Sequence, residues 1–118
     1  MKKMTLSQGK GRTRVQLSTQ WIGSDLIVSI YNRKGHLGAV AIADFDSKEK
    51  RASTSVLTRL GHKDDQVACN AAYRLCSRLR KPVCAIAGIH VDNIKKEEIV
   101  QITRNCEALV EKLIGRLC

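Results

Sequence analysis

The hydrophobic period of this chain changes at residues 64–80, which read DDQVACNAAYRLCSRLR. Apolar residues recur there at intervals of three and four from Val67 to Leu79, which is the stripe of an amphipathic helix. The two aspartates at its start suit the positive end of the helix dipole, and Pro82 prevents the helix from continuing. This stretch decides the fold class, because the segments before it have the composition and length of β-strands.

Four strand-length runs precede this helix, and one follows it. Each is rich in apolar and β-branched residues, and short breaks with glycine, serine, aspartate or charged residues separate the first four. The runs before the helix are 12–20, 25–32, 37–44 and 52–60, and the run after it is 82–90. A second stripe, from Ile99 to Ile114, predicts a helix over 95–117. The predicted order is ββββαβα.

The connections predict how these strands are arranged. Short breaks favour a four-stranded antiparallel meander, and the strand, helix and strand of 52–90 form a crossover whose two strands run parallel. We therefore expect an α+β fold, a mostly antiparallel mixed sheet with two helices packed on it, as one domain over residues 1–118. One edge of this sheet, which we call the rim, collects the segments 9–12, 33–36, 61–63 and 88–90.

The charge of the chain favours an anionic partner. It has 118 residues, a net charge of +10 and only four aromatic residues besides histidine, namely one tryptophan, two tyrosines and one phenylalanine. Nucleic acid, a phosphorylated small molecule and an acidic protein all suit such a charge. The scattered aromatics offer no stacking platform for single-stranded nucleic acid, and no helix-turn-helix or zinc-finger motif is visible, so the sequence argues against nucleic acid as the partner.

The sequence also bears on localisation. No apolar run is long enough to span a bilayer, and Met1 is followed by lysines and polar residues instead of the apolar core of a signal peptide. The five cysteines are odd in number and lack C-x-x-C spacing. This favours free thiols in a reducing compartment over a disulfide framework or a zinc site. We expect a cytoplasmic protein without membrane contact.

The three histidines, His36, His62 and His90, each lie beside or near a glycine on the rim. Two helix N-termini point at the same rim with free amides and positive dipole ends, and Lys63 adds a mobile charge. The rim therefore predicts an anion site that suits a phosphate ester.

Other interpretations of the same residues stay open at this point. The glycines can serve only to shape turns, and each histidine can be bonded by a neighbouring carbonyl. A three-histidine zinc site lacks the close ligand spacing that a helix provides. Catalysis by His62 or His90, with Asp64 or Asp92 as the orienting carboxylate, lacks a visible nucleophile.

Three stretches resemble a known family: HLGAVA at 36–41, GHKD at 61–64 and GIHVDN at 88–93. They are similar, in order and spacing, to motifs of the small D subunits that accompany gallate-type phenolic acid decarboxylases and are described as prenylated-flavin chaperones. The resemblance runs from about Gly11 to Leu117, and Lys95 stands where a threonine helix cap is expected. It implies a homodimer with a fold related to proteasome assembly chaperones. It also implies that the chain holds prenylated FMN, or FMN, for a decarboxylase and is not itself an enzyme. From the residues we expect no metal site, because the rim is already cationic.

The rim and the resemblance together give the expected cofactor-binding residues: His36, Gly38, Gly61, His62, Lys63, Asp64, Gly88, His90, Asp92 and Asn93. Amides near 61–64 and 88–93 are expected to hold the phosphate, and the ring system is expected to pack on aliphatic side chains such as Leu37, Val40 and Ile89. The alternative function is a protein-assembly chaperone that acts without a small ligand. A small enzyme acting on a phosphate ligand comes third.

Overall fold

The computed structural model describes residues 2–59 and 64–118. Its elements, in chain order, are β1 Thr5–Gln8, β2 Val15–Ile22, β3 Asp25–Tyr31, β4 Ala39–Asp46, β5 Arg51–Thr58, α1 Asp65–Leu79, β6 Val83–Gly88 and α2 Lys96–Leu117, with a short 3-10 turn at Gly11–Thr13. The expected α+β class and both expected helices are confirmed. The expected order missed β1, because a four-residue strand with Leu6 as its one buried residue is too short to show a period.

The six strands form one sheet in the order β1-β2-β3-β6-β4-β5. The predicted meander is wrong between β3 and β4, because β6 lies between them, parallel to β3 and antiparallel to β4. Strands β5 and β6 do run in the same direction, but β4 separates them. The two-residue turn Gly23-Ser24 forces β2 and β3 to be neighbours, whereas the connection 32–38 is long enough to step across a strand.

The composition of β6 explains its central position. Val83, Ala85 and Ala87 are fully buried on one side, and Cys84 and Ile86 are half-buried on the other. A strand that is apolar on both faces and bonded along both edges is typical of the middle of a sheet. Strand β5 has mostly serine, threonine and exposed positions, which suits an edge.

Both helices pack on one face of the sheet. Helix α1 lies over β4, β5 and β6, and α2 lies over β1 and β2. Alanines of β4 and β6 meet alanines of α1, and these small side chains let that helix approach the sheet closely: Ala39, Ala41, Ala43, Ala85, Ala87, Ala68, Ala71 and Ala72. Larger residues such as Leu17, Leu75 and Leu109 fill the rest, and each contributes about 1.5 to 3 kcal/mol of hydrophobic free energy. No helix in the two described ranges could span a membrane.

The other side of the sheet, which we call the open face, is covered by neither described helix. One row of paired residues crosses it from β1 to β5: Thr5, Ser18, Ser29, Ile86, Val40 and Leu57. The next row runs from β2 to β5: Gln20, Ile27, Cys84, Ile42 and Ser55. Leu57 is 79% exposed and Ile42 is 58% exposed. The open face is therefore apolar over β3, β6 and β4, unlike the polar outer face of an ordinary solvated sheet.

The connection between β3 and β4 passes across the end of β6 in close backbone contact. The Gly38 amide donates to the Ala87 carbonyl over 2.9 Å. A Cβ on Gly88 would overlap the His36 carbonyl, and a Cβ on Gly35 would overlap the Gly88 carbonyl. Glycine is required at these two positions because backbone packs on backbone there.

Replacing Gly88 with alanine is expected to lower the free energy of unfolding by about 1 to 3 kcal/mol, because the new methyl group overlaps the His36 carbonyl. Gly115→Ala is the matched control: no heavy atom lies within 4 Å of its Cβ position, so helix propensity should raise stability by about 0.5 to 1 kcal/mol. Urea unfolding of both variants measures the difference. Equal stability of Gly88→Ala and the wild type would contradict the packing argument.

Candidate functional site

The rim brings three of the expected segments together. The Arg12 guanidinium donates to the Asp92 carbonyl over 2.6 Å, and Lys34 Nζ lies 3.3 Å from the Asp92 carboxylate. Residues 9–12, 32–38 and 88–93 thus meet at one end of the sheet. The expected residues Gly61, His62 and Lys63 lie outside the described residues.

Asn32 closes the end of the β3 and β6 pair with its side chain. Its Nδ2 donates to the His90 carbonyl over 2.8 Å, and its Oδ1 accepts from the His90 amide over 3.1 Å. The imidazole of His90 is hydrogen-bonded to Asp92 through Nε2 over 2.8 Å, and its ring lies 5.5 Å from that of His36. The hydrogen bond from His90 and then that from Lys34 lower the pKa of Asp92, so this carboxylate is ionised at neutral pH.

Asp64 has a structural position in this cluster. It is only 8% exposed, its Oδ1 accepts from the Ile89 amide over 3.2 Å, and its carboxylate packs directly against Gly38. The amides of Ile89 and His90 are among those expected to hold a phosphate. In this structure both are bonded by side chains of the protein, and the Asp64 carboxylate occupies the place of an external anion.

Asp92 and Asn93 lie on the turn before α2, where both are exposed. Asn93 adopts a positive φ of 50°, a conformation that asparagine tolerates better than most residues. The start of the helix is bonded instead by Glu98, whose carboxylate accepts from the Lys95 amide over 3.0 Å. The same carboxylate accepts from the Arg12 guanidinium over 2.8 Å, which ties the 3-10 turn to α2.

A cleft of about 500 Å³ opens beside this cluster, with the following lining residues: Gly11, Arg12, Arg14, Gln16, Asn32, Arg33, Lys34, His90, Val91 and Asp92. We call it the cationic cleft. Arg12 and Lys34 are held by the acidic residues described above. The side chains of Arg14 and Arg33 are exposed and make no hydrogen bond or ion pair with any residue of 2–59 and 64–118. These two guanidinium groups are the cations of the cleft that are available to an anion.

A smaller hollow adjoins the cleft on the open face and shares Asn32 with it. Its volume is about 240 Å³, and its lining residues are Ser29, Ile30, Tyr31, Asn32, Gly35, His36, Leu37, Ile86 and Gly88. We call it the apolar hollow. The hollow exists because the side chain of Ser29 is small and Gly88 has none. Tyr31, Leu37 and Ile86 supply its apolar surface. Of the side chains expected to hold a ring system, Leu37 lines this hollow, Val40 lies beside Ile86 in the sheet, and Ile89 packs against the core.

A third cavity, of about 360 Å³, is a groove between α1 and α2. Val67, Ile99 and Val110 make it largely apolar, and Asp65 and Glu107 place two carboxylates at its walls. Arg74 also lines the groove, but it is paired with Glu111. Two carboxylates and one paired cation repel a phosphate, whereas the cationic cleft has four lysine or arginine side chains and one carboxylate, so the groove does not suit the expected ligand.

Sequence reasoning named several residues that meet here, His36, Gly88, His90 and Asp92 among them. It placed Arg33 on the rim without a role in binding, and it did not name Arg14. The available signal was weak: each arginine lies at the rim end of a strand near another cation, Arg14 two positions after Arg12 and Arg33 next to Lys34. Periodicity places such residues at the end of a strand, but it does not show which of the rim cations are already paired.

The family of the chain follows from a comparison with known families. The model of the prenylated flavin chaperone LpdD-like domain matches residues 9–118, so this chain belongs to that family. No curated protein is significantly similar in sequence.

A solved structure shares the fold. It is described as the crystal structure of a novel chaperone complex for yeast 20S proteasome assembly, and it matches with a TM-score of 0.63 and 12% identity over 98% of this chain and 94% of that chain. At this identity the similarity concerns the fold alone. The expected relation to proteasome assembly chaperones in fold is thereby confirmed.

The bond between Arg12 and Glu98 should make stability depend on pH. The hydrogen bond from Arg12 and then that from the Lys95 amide lower the pKa of Glu98 from 4.5 to about 2. A carboxyl whose pKa is lowered by folding stabilises the protein above its ordinary pKa, and the contribution is lost as the pH falls toward the folded value. Glu98→Gln should therefore be less stable than the wild type at pH 7, and the difference should shrink between pH 4.5 and about 2.

Urea unfolding across this pH range measures the effect. Glu97→Gln is the control, because the Glu97 carboxylate makes no hydrogen bond or ion pair within the described chain. A difference between Glu98→Gln and the wild type that stays constant from pH 7 to pH 2 would contradict this assignment.

Proposed function

We propose that this chain binds prenylated FMN, or FMN, and delivers it to a prenylated-flavin-dependent decarboxylase without catalysing a reaction itself. Its membership of a prenylated flavin chaperone family supports the ligand class and the chaperone role. The observation that carries the proposal is the pairing of two uncommitted arginines in the cationic cleft with an apolar hollow that shares Asn32 with it. A flavin mononucleotide has the same two parts, a phosphate at one end and a flat, largely apolar ring at the other.

The phosphate belongs in the cationic cleft under this proposal. Arg14 and Arg33 approach it as planar forks, which suit the oxygens of a phosphate better than the point charge of a lysine. Arg12 and Lys34 add positive potential while they stay bonded to Glu98 and Asp92. The phosphate then lies next to the amides that were first expected to bind it, and Asp64 and Asn32 need not be displaced.

The ring system belongs in the apolar hollow. Tyr31 offers an aromatic surface, and Leu37 and Ile86 offer aliphatic ones. His36 lies at this hollow and His90 at the cleft, with their rings 5.5 Å apart, so both are placed near the junction between ring and phosphate. Among the expected ligand residues, the proposed site includes His36, Gly88, His90 and Asp92.

Delivery requires that the ligand leave again. In a single copy both the cleft and the hollow open at the surface, so the ligand can leave without any unfolding of the chain. A carrier of this kind needs a moderate affinity, and the client must bind the flavin more tightly. We also propose that the protein acts in the cytoplasm, where its five free thiols would persist.

The double variant Arg14→Ala/Arg33→Ala is expected to weaken FMN binding by about 1 to 3 kcal/mol, or about 5- to 150-fold in Kd, because it removes charge-assisted hydrogen bonds to the phosphate. Calorimetric or fluorescence titration measures the change. Binding of riboflavin, which lacks the phosphate, should be the same for both proteins.

Arg51→Ala is the matched control, because Arg51 is an exposed arginine at the opposite end of the sheet, where it pairs with Asp46 in the register. It should leave FMN affinity within about twofold of the wild type, as a screened surface charge far from the ligand does. An equal loss of FMN affinity in Arg51→Ala and in the double variant would indicate general attraction by positive charge in place of a phosphate site. Equal affinity of the double variant and the wild type would remove the cleft from the binding site.

Reconstitution tests delivery. An apo-decarboxylase given prenylated FMN together with this protein should become active faster and in higher yield than the enzyme given the cofactor alone. The chaperone incubated with substrate and cofactor, without the enzyme, should show no turnover. If the rate and yield are the same with and without the protein and no flavin binds at high micromolar concentration, an assembly chaperone without a small ligand becomes the better account.

A further inference from the structure

The open face has the composition of a buried interface. Its two middle rows, which cross all or most of the sheet, contain no charged side chain, although the whole chain has 21 lysines and arginines. Depletion of charge around a centre of large apolar residues is typical of the core of a protein interface. Leu57, Ile42 and Val40 protrude from this face or lie half-exposed on it.

The size and charge of this face fit a second copy of the chain. Five strands about 22 Å long and the shorter β1, spaced about 4.8 Å apart, present about 600 Å² in projection, the same order as the roughly 800 Å² that each partner buries in a stable interface. A chain with net charge +10 repels its copy over most of its surface. The uncharged rows are the place where two copies meet without bringing like charges together.

The apolar hollow lies on the same face and is incomplete in one copy. Its volume of about 240 Å³ is below the roughly 300 to 1,000 Å³ of pockets that bury most of a ligand. Its floor consists of Ser29, Ile86 and Gly88, with His36 and Leu37 along one side. Nothing in the described part of the chain forms the opposite wall. A flat ring placed here would leave one face in water.

We propose that a second copy packs on the open face and closes the apolar hollow, so that each flavin ring is held between the sheets of two copies. This inference rests on the proposed function for the identity of the ligand. Two sheets packed face to face lie about 10 Å apart, which leaves space for side chains to interdigitate and, above Ser29 and Gly88, for a ring. By two-fold symmetry the dimer has two such sites, each with its phosphate in the cationic cleft of one copy.

The arrangement links ligand binding to assembly. A flavin that contacts both copies stabilises the dimer, and the dimer in turn binds flavin more tightly than the monomer does, by the same factor. FMN affinity should therefore rise with protein concentration over the range in which the dimer forms. Separation of the copies would expose the ring to an accepting enzyme.

The test uses charged substitutions on the open face that do not touch the hollow. Leu57→Asp and Ile42→Asp each place a charge in the uncharged rows, and neither residue lines the hollow. Val100→Asp on α2 is the control, because Val100 is likewise half-exposed, at 50%, but lies on the helix side. Sedimentation velocity with and without FMN gives the oligomeric state, titration with FMN and prenylated FMN gives the affinity, and circular dichroism checks folding.

The wild type and Val100→Asp should be dimers at tens of micromolar protein. Leu57→Asp and Ile42→Asp should be monomers, because a charge in an apolar interface opposes association. These monomers should bind FMN at least about tenfold more weakly than the wild type. Monomeric variants that bind FMN as tightly as the wild type would overturn the shared site and leave the proposed function standing. Dimer formation by both Leu57→Asp and Ile42→Asp would also overturn the shared site. A wild type that binds neither flavin would refute the proposed function itself.

The wild type provides a second measurement that needs no variant. If the ring is shared, FMN should shift the monomer–dimer equilibrium toward the dimer, and the apparent Kd should fall as the protein concentration rises. A Kd that is constant from well below to well above the dimerisation concentration would contradict the inference even if a substituted chain fails to fold.

Discussion

The insertion of β6 between β3 and β4 is the constraint on which the other features depend. Because β6 takes the place beside β3, the connection 32–38 must cross the end of β6, and it does so in backbone contact at Gly88. That crossing brings Asn32 to the His90 backbone and His36 to the His90 ring. It also leaves the apolar hollow beside the crossing. The candidate site is therefore a consequence of strand order, since with β3 and β4 as neighbours these groups would not meet.

Charge in the cluster is divided between groups that hold the fold together and groups that remain available. Asp64 bonds a backbone amide, Asp92 bonds His90 and Lys34, and Glu98 bonds Arg12. Each of these carboxylates accepts hydrogen bonds from groups of the protein that could otherwise donate to an external anion. Arg14 and Arg33 are outside this internal network, so the positive charge available to an anion in the cationic cleft is smaller and more localised than the net charge of the chain implies.

The sheet has apolar residues on both faces, and the two faces have different consequences. Alanines on one face let α1 approach closely and complete the core within one copy. On the other face, Val40, Ile42 and Ile86 stay uncovered by the helices because both described helices follow connections to the same side. The first face accounts for the stability of the chain, and the second accounts for its proposed association and for the proposed enclosure of the ligand.

The sequence by itself determined the features that depend on local spacing and composition, namely the helices, most of the strands and the family. The stripe from Val67 to Leu79 was enough for α1, strand-length runs located five of the six strands, and the motifs around His36 and His90 identified the family. Strand order was decided only in the tertiary structure, because a period shows which residues are buried and not which strand lies alongside. The same holds for Asp64, whose partner at Ile89 lies far along the chain, and for Arg14 and Arg33. Whether a cation is paired depends on groups that the fold brings together from distant segments, and no local pattern contains that information.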